Sequence, residues 1–125
     1  MKTELEKKAY FKSLRDRWNL AKQKLAAGDI KLIEAIISTH GLNVSNNGFM
    51  FVKMQLDDQK LSGLPYLDAK TYRGWLENGF RVIKGEKSTL DGITWITCNK
   101  KTDPEKSFMI PKGYHLFHRS QVAAL

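Results

Sequence analysis

The feature that most narrows the fold is a change of hydrophobic period at Asn78-Gly79. Before that point, apolar residues recur at three- and four-residue intervals. After it they alternate. The first rhythm suits helices with one buried face, and the second suits strands whose two faces differ. Helices that come first and strands that follow read as an α+β fold, with about four N-terminal helices and then a small antiparallel β-sheet of about three strands.

The elements can be placed one by one. Phe11, Leu14, Trp18, Ala21 and Leu25 line one face of a first helix, while Lys12, Arg15, Lys22 and Lys24 fall mostly elsewhere. Gly28 is expected to end it, and Asp29 to cap a second helix that carries Ile30, Ile33, Ile36 and Ile37 and stops at His40-Gly41. Residues 1–42 thus read as a basic helical hairpin. In residues 45–59, Phe49, Val52 and Leu56 fit a helix capped by Ser45, although Phe49–Val52 also suits a strand; the helix is the favoured reading. Gly63-Leu64-Pro65 breaks the chain, and Asp68 is expected to cap a helix holding Tyr72, Trp75 and Leu76. Strands are expected at Phe80–Ile83, Ile93–Cys98 and Tyr114–Arg119, with a turn at Lys84-Gly85-Glu86-Lys87. Asn99–Ser107 reads as a polar connection at a hairpin tip, and Lys100–Lys106 within it is the segment best suited to mobility. There is no repeat and no linker, so residues 1–125 read as a single domain.

Several kinds of chemistry lack their residues. No apolar run is long enough for a membrane helix, and the charged start does not resemble a secretory signal. Cys98 stands alone, which rules out an internal disulfide and suits a reducing compartment; a soluble cytoplasmic protein is expected, with Cys98 packed in its strand. His40, His115 and His118 come with no CxxC or HExxH spacing, and in a strand His115 and His118 point to opposite faces, so no metal site is expected. No GxSxG elbow, phosphate-binding Gly-Lys-Ser/Thr loop or GxGxxG turn is present. Asp57-Asp58 are adjacent and diverge on a helix, as a solvated helix end would have them. The expectation is a protein that is not an enzyme and needs no cofactor.

The charge points to a partner. The chain carries a net +8, and a basic protein attracts phosphate polymers because each neutralised phosphate releases condensed counterions. The cations concentrate near both ends of the sequence. From Tyr72 to Lys87 rings and cations interleave around two glycine turns, a mixture that suits unpaired bases stacking on planar groups while cations follow the backbone. Arg81, Lys84 and Lys87 are the expected phosphate contacts, flanked by Arg73 and Lys53. Trp75, Tyr72 or Trp95 would supply stacking, and Asn47 and Gln55 would bond to base edges or backbone. The three expected strands and the helix before them would form the groove.

The pattern Ala69…Trp75…Gly79…Val82-x-Lys84-Gly85-Glu86-Lys87, followed by Tyr114-x-x-Phe117-x-x-Ser120-Gln121, resembles the N-terminal domain of ArdC-type anti-restriction proteins. Ser45-x-Asn47 and the apolar run to Gln55 resemble that family's Asn-rich helix start. The resemblance covers residues 43–122. It implies a single-stranded-DNA-binding domain of the kind carried by plasmids, phages and other mobile genetic elements, with an anti-restriction or anti-defence role. Two departures stand out: Ser88 follows the turn where the family often has Gly, and the loop before the final strand is longer and more charged. The family's metallopeptidase-like domain, with its HExxH motif, has no counterpart here, so a stand-alone domain without peptidase activity is expected.

Two other readings stay open at this level. The chain could be a protein-interaction inhibitor of a host defence nuclease, although +8 argues against a DNA mimic. The polynucleotide could also be RNA or a duplex, since only geometry at the 2′-hydroxyl separates RNA from DNA.

Overall fold

A computed structural model describes residues 3–26 and 30–125. The helix end expected at Gly28 and the cap expected at Asp29 lie outside the described residues. Helix α1 spans Glu4–Ala26, α2 Ile30–His40 and α3 Asn46–Asp58; β1 is Ala69–Lys70, α4 Tyr72–Glu77 and β2 Phe80–Val82. Then come β3 (Leu90–Lys100), β4 (Asp103–His118), a single 3-10 turn (Arg119–Gln121) and β5 (Val122–Ala124). Among the described residues four helices, with the short β1 ahead of the fourth, lead into antiparallel sheet, an α+β arrangement.

Much of α1 is polar, so burial of a few residues fixes where it sits. Leu14 and Ala21 are sealed against Phe51, Val52 and Leu56 of α3, and Trp18 packs at the margin. Each buried Leu or Phe contributes about 1.5–3 kcal/mol, far more than helix propensity does. Helix α3 wins over the strand alternative at Phe49–Val52 because Phe49, Val52 and Leu56 share one buried face. The Ser45 hydroxyl also caps its start, accepting from the Gly48 N–H at 3.0 Å.

The sheets depart from expectation in four places. Asp68 does not cap α4. Ala69 and Lys70 are extended and pair with His118 and Phe117, so the helix starts later, capped by Thr71, whose hydroxyl accepts from the Gly74 N–H at 3.0 Å. The expected strand at Phe80–Ile83 does not join the main sheet, whose order is β1-β4-β3; β2 pairs with β5 instead, a C-terminal strand too short to show in the sequence. The Asn99–Ser107 connection is also mostly paired. Asn99 faces Ser107 and Cys98 faces Phe108, so only Lys101 and Thr102 lie outside the strands. For the same reason the strand expected to begin at Tyr114 begins at Asp103. Pro111 is tolerated within it because β1 pairs only with the last two residues of β4, so among the described residues no strand pairs with Pro111 on that edge.

Two glutamines, Gln55 in α3 and Gln59 just past its end, hold the start of β3. The Gln55 amide donates to the Asp91 carbonyl and accepts from the Asp91 N–H, both at 2.8 Å. Gln59 donates to the Thr89 carbonyl at 2.7 Å. These bonds fix the start of β3 against α3. They also position the loop before β3, which matters for the site.

Candidate nucleic-acid interface

A cleft of about 640 Å³ opens where α4, the loop before β3 and the end of β4 meet. Thr71, Tyr72 and Arg73 form one wall, Lys87 and Ser88 the other, and Tyr114, His115 and Phe117 lie along β4 between them. It therefore brings together rings and cations. Each wall is held by local structure.

Thr71 caps α4, which places Tyr72 and Arg73 on its first turn. Tyr72 is 55% exposed, unusual for a large ring in a folded domain. Arg73 reaches Glu77 one turn on at 3.2 Å, with both side chains mostly in solvent. Such an exposed pair contributes little, so Arg73 is free to turn toward an anion.

The opposite wall depends on a turn that only glycine enters easily: Gly85 has φ +92°. Gln121, buried beneath it, donates to the Lys87 carbonyl at 2.7 Å and to the Glu86 carboxylate at 3.2 Å. Two sequence motifs far apart in the chain, Lys84–Lys87 and Phe117–Gln121, thus meet directly. The Ser88 hydroxyl lies 2.7 Å from the Leu116 carbonyl and 2.9 Å from that of Leu90, pinning the chain beside β4.

Along β4, the Tyr114 ring lies across Gly92, where a Cβ would overlap it. Its hydroxyl is 2.6 Å from that of Tyr66. Burial first, and the Tyr114 hydroxyl second, raise the Tyr66 phenol well above its usual range, so it stays protonated. Tyr66 also holds φ +65°, a strained conformation for a non-glycine residue, and its carbonyl accepts from the Lys70 ammonium at 2.7 Å. His115 is 81% exposed and lies 3.8 Å from Asp91, which in turn lies 3.5 Å from Arg17.

Of the residues expected from sequence, Tyr72, Arg73 and Lys87 share this cleft. Arg81 and Lys84 are exposed on β2 and its turn and do not line it. Lys53 lies on α3, paired with Asp57 at 2.9 Å. Trp75 requires correction as a stacking platform. Its side chain is fully buried, its indole N–H donates to the Phe117 carbonyl at 2.8 Å, and the Phe80 ring and the Arg119 guanidinium lie against it. Trp95 is half-buried edge-on to Trp18 at 5.6 Å, away from the cleft. Asn47 and Gln55 are also corrected as base-reading groups. The Asn47 amide donates to the Trp18 carbonyl at 3.3 Å, and Gln55 is sealed in its bonds to β3 and to the Phe51 carbonyl.

Tyr114, His115 and Phe117 were not expected at the site; alternation pairs His115 with Phe117 on one face of β4 but puts Tyr114 on the other, so no single period marks all three. His118, three residues from His115, is buried, with its ring nitrogens close to Ser120 and the Ser62 carbonyl. Among the described residues no group of His, Cys, Asp or Glu could hold a metal ion, and no helix is long and apolar enough to cross a membrane. No protein-family model matches the chain, and no curated protein or solved structure matches it either.

Proposed function

We propose that this protein binds single-stranded nucleic acid, DNA in the first instance, through the Tyr72–Lys87 cleft, without catalysis and in the cytoplasm. The observation that carries this reading is one exposed ring, Tyr72, in a cleft shared with Arg73, Lys87, His115 and Phe117. A base stacks on such a ring for about 1–3 kcal/mol, largely irrespective of its identity. Arg73 and Lys87 stand on opposite walls, where phosphates on either side of a stacked base would come within reach. Arg81 and Lys84 extend the positive surface beyond the cleft. A role in countering restriction on a mobile element follows only from the resemblance to ArdC-type proteins and belongs to the same proposal.

Salt dependence tests the electrostatic half. If about four phosphates are neutralised, log K against log salt for a labelled oligonucleotide falls with a slope near −3. A slope near zero removes the proposal. Competition by equal lengths of single-stranded DNA, RNA and duplex DNA then identifies the ligand. Preference for the duplex would overturn the stacking account.

The rival reading, contact with a host defence protein, has one supporting observation. Helix α2 buries Ile33 yet leaves Leu32 58% and Ile30 38% exposed. A captured protein that stays bound after nuclease treatment would favour it.

A further inference from the structure

We infer that a second, smaller cleft beside the first receives the next base of the strand and favours bases that carry an exocyclic amino group. This rests on the strand-binding reading of the first cleft. The second cleft, about 290 Å³, has an apolar floor of Leu20, Phe51 and Met54 and a polar rim that includes Arg17, Asp58 and Asp91. The two clefts adjoin. Lys87 and Ser88 line the first, and Thr89, next in the chain, lines the second. His115 of the first lies 3.8 Å from Asp91 of the second. A strand crossing that sill passes from one cleft into the other.

Their chemistry differs in a way that divides the labour. The first cleft is lined by cations and rings, with no carboxylate among the described residues. The second is lined by two carboxylates and one guanidinium over an apolar floor. Arg17, 3.5 Å from Asp91, offsets part of its charge, and the remaining carboxylate excess disfavours phosphate and accepts hydrogen bonds from a base. Carboxylates accept from exocyclic amino groups, as in contacts to the amino group of cytosine. Thymine and uracil carry carbonyl oxygens instead, which carboxylates repel. Arg17 lies over the Phe51 ring, with its guanidinium carbon 4.9 Å from the ring centroid. Gln55 also borders the cleft, but both ends of its amide bond to the Asp91 backbone. It fixes Asp91 rather than reading a base.

Binding of a deoxycytidine decamer and a thymidine decamer, compared by fluorescence anisotropy at neutral pH, tests this. The wild-type protein is expected to hold deoxycytidine about 10-fold tighter, at the low end of what one matched base contact supplies. A decamer of pyrimidinone nucleotides, which lack the amino group, is expected to bind like thymidine. In Asp58→Asn the preference shrinks, and in Asp58→Asn/Asp91→Asn it disappears while thymidine binding holds or rises. Asp58 is exposed, so the single variant keeps the test alive if the double variant fails to fold. Equal affinity for both decamers in the wild type, or a preference that survives in the folded variants, overturns the inference while the first cleft stands. Binding to none of the decamers overturns both.

Discussion

Tyr72 and Trp75 lie three residues apart on one short helix and have opposite fates. Tyr72 stands in a cleft, more than half exposed, between the walls that carry Arg73 and Lys87. Trp75 is fully enclosed by Phe80, Lys70 and Arg119, and its N–H is satisfied by the Phe117 carbonyl. Both pair a ring with cations, yet one combination is finished and the other is open. A cation over a buried ring is part of the packing. Cations beside an exposed ring have no such role in the fold, which is why the cleft around Tyr72 is the stronger candidate for a ligand.

The largest effect expected from this contrast is on stability. Trp75→Ala removes a buried indole and leaves a cavity between α4 and β4, costing about 3–5 kcal/mol. Chemical denaturation should show a lower midpoint with unchanged slope. If the loss is under about 1 kcal/mol, the indole is not packed as its burial implies, since such small losses are typical of surface positions.

Tyr72→Ala should do the reverse. With the ring already in solvent, stability should stay within about 0.5 kcal/mol of the wild type. Oligonucleotide affinity should fall roughly 5- to 100-fold, the loss of one stacked base. If stability falls instead and affinity holds, the two rings have been assigned the wrong way round.

How much of this could be read beforehand depends on the range of the interactions. Helices α1 and α2 repeat their apolar residues over several turns, so the spacing locates them, whereas the run Phe49–Val52 in α3 also suits a strand and burial decides it. Helix α4 is six residues long, too short for a period to say which of Tyr72, Trp75 and Leu76 turns inward. The burial of Trp75 is decided by Arg119 and Phe117, which lie far along the chain. Strands β1 and β5 have two and three residues, and partners distant in sequence define them, not their own pattern. The cleft was half legible for the same reason. Tyr72, Arg73 and Lys87 belong to one local run of rings and cations, whereas Tyr114, His115 and Phe117 arrive by strand pairing. Asn47 and Gln55 misled because an amide in an apolar helix looks alike whether it reads a base or ties its helix to the backbone of a neighbouring element, α1 for Asn47 and β3 for Gln55.

The smallest effect concerns how the sealed side is held shut. Arg119 lies 5.1 Å from the Trp75 ring and donates to the Asp68 carboxylate at 2.6 Å, while the other carboxylate oxygen accepts from the Leu64 N–H at 2.7 Å. Burial alone would raise the Asp68 pKa, but the Arg119 guanidinium and the Leu64 N–H outweigh it and hold the carboxyl below its usual value. A depressed carboxyl adds stability that is fully present above the unfolded aspartate value, about 3.9, and is lost as pH falls through the folded value. Asp68→Asn should therefore cost on the order of 1 kcal/mol at neutral pH, as expected for a charge-assisted hydrogen bond that is partly exposed. The gap between variant and wild type should then narrow on acidification through the aspartate range. Oligonucleotide affinity should not change, because Asp68 does not line the cleft around Tyr72. A gap that stays constant with pH would mean that Asp68 acts through shape alone and that Arg119 keeps its place over Trp75 without it.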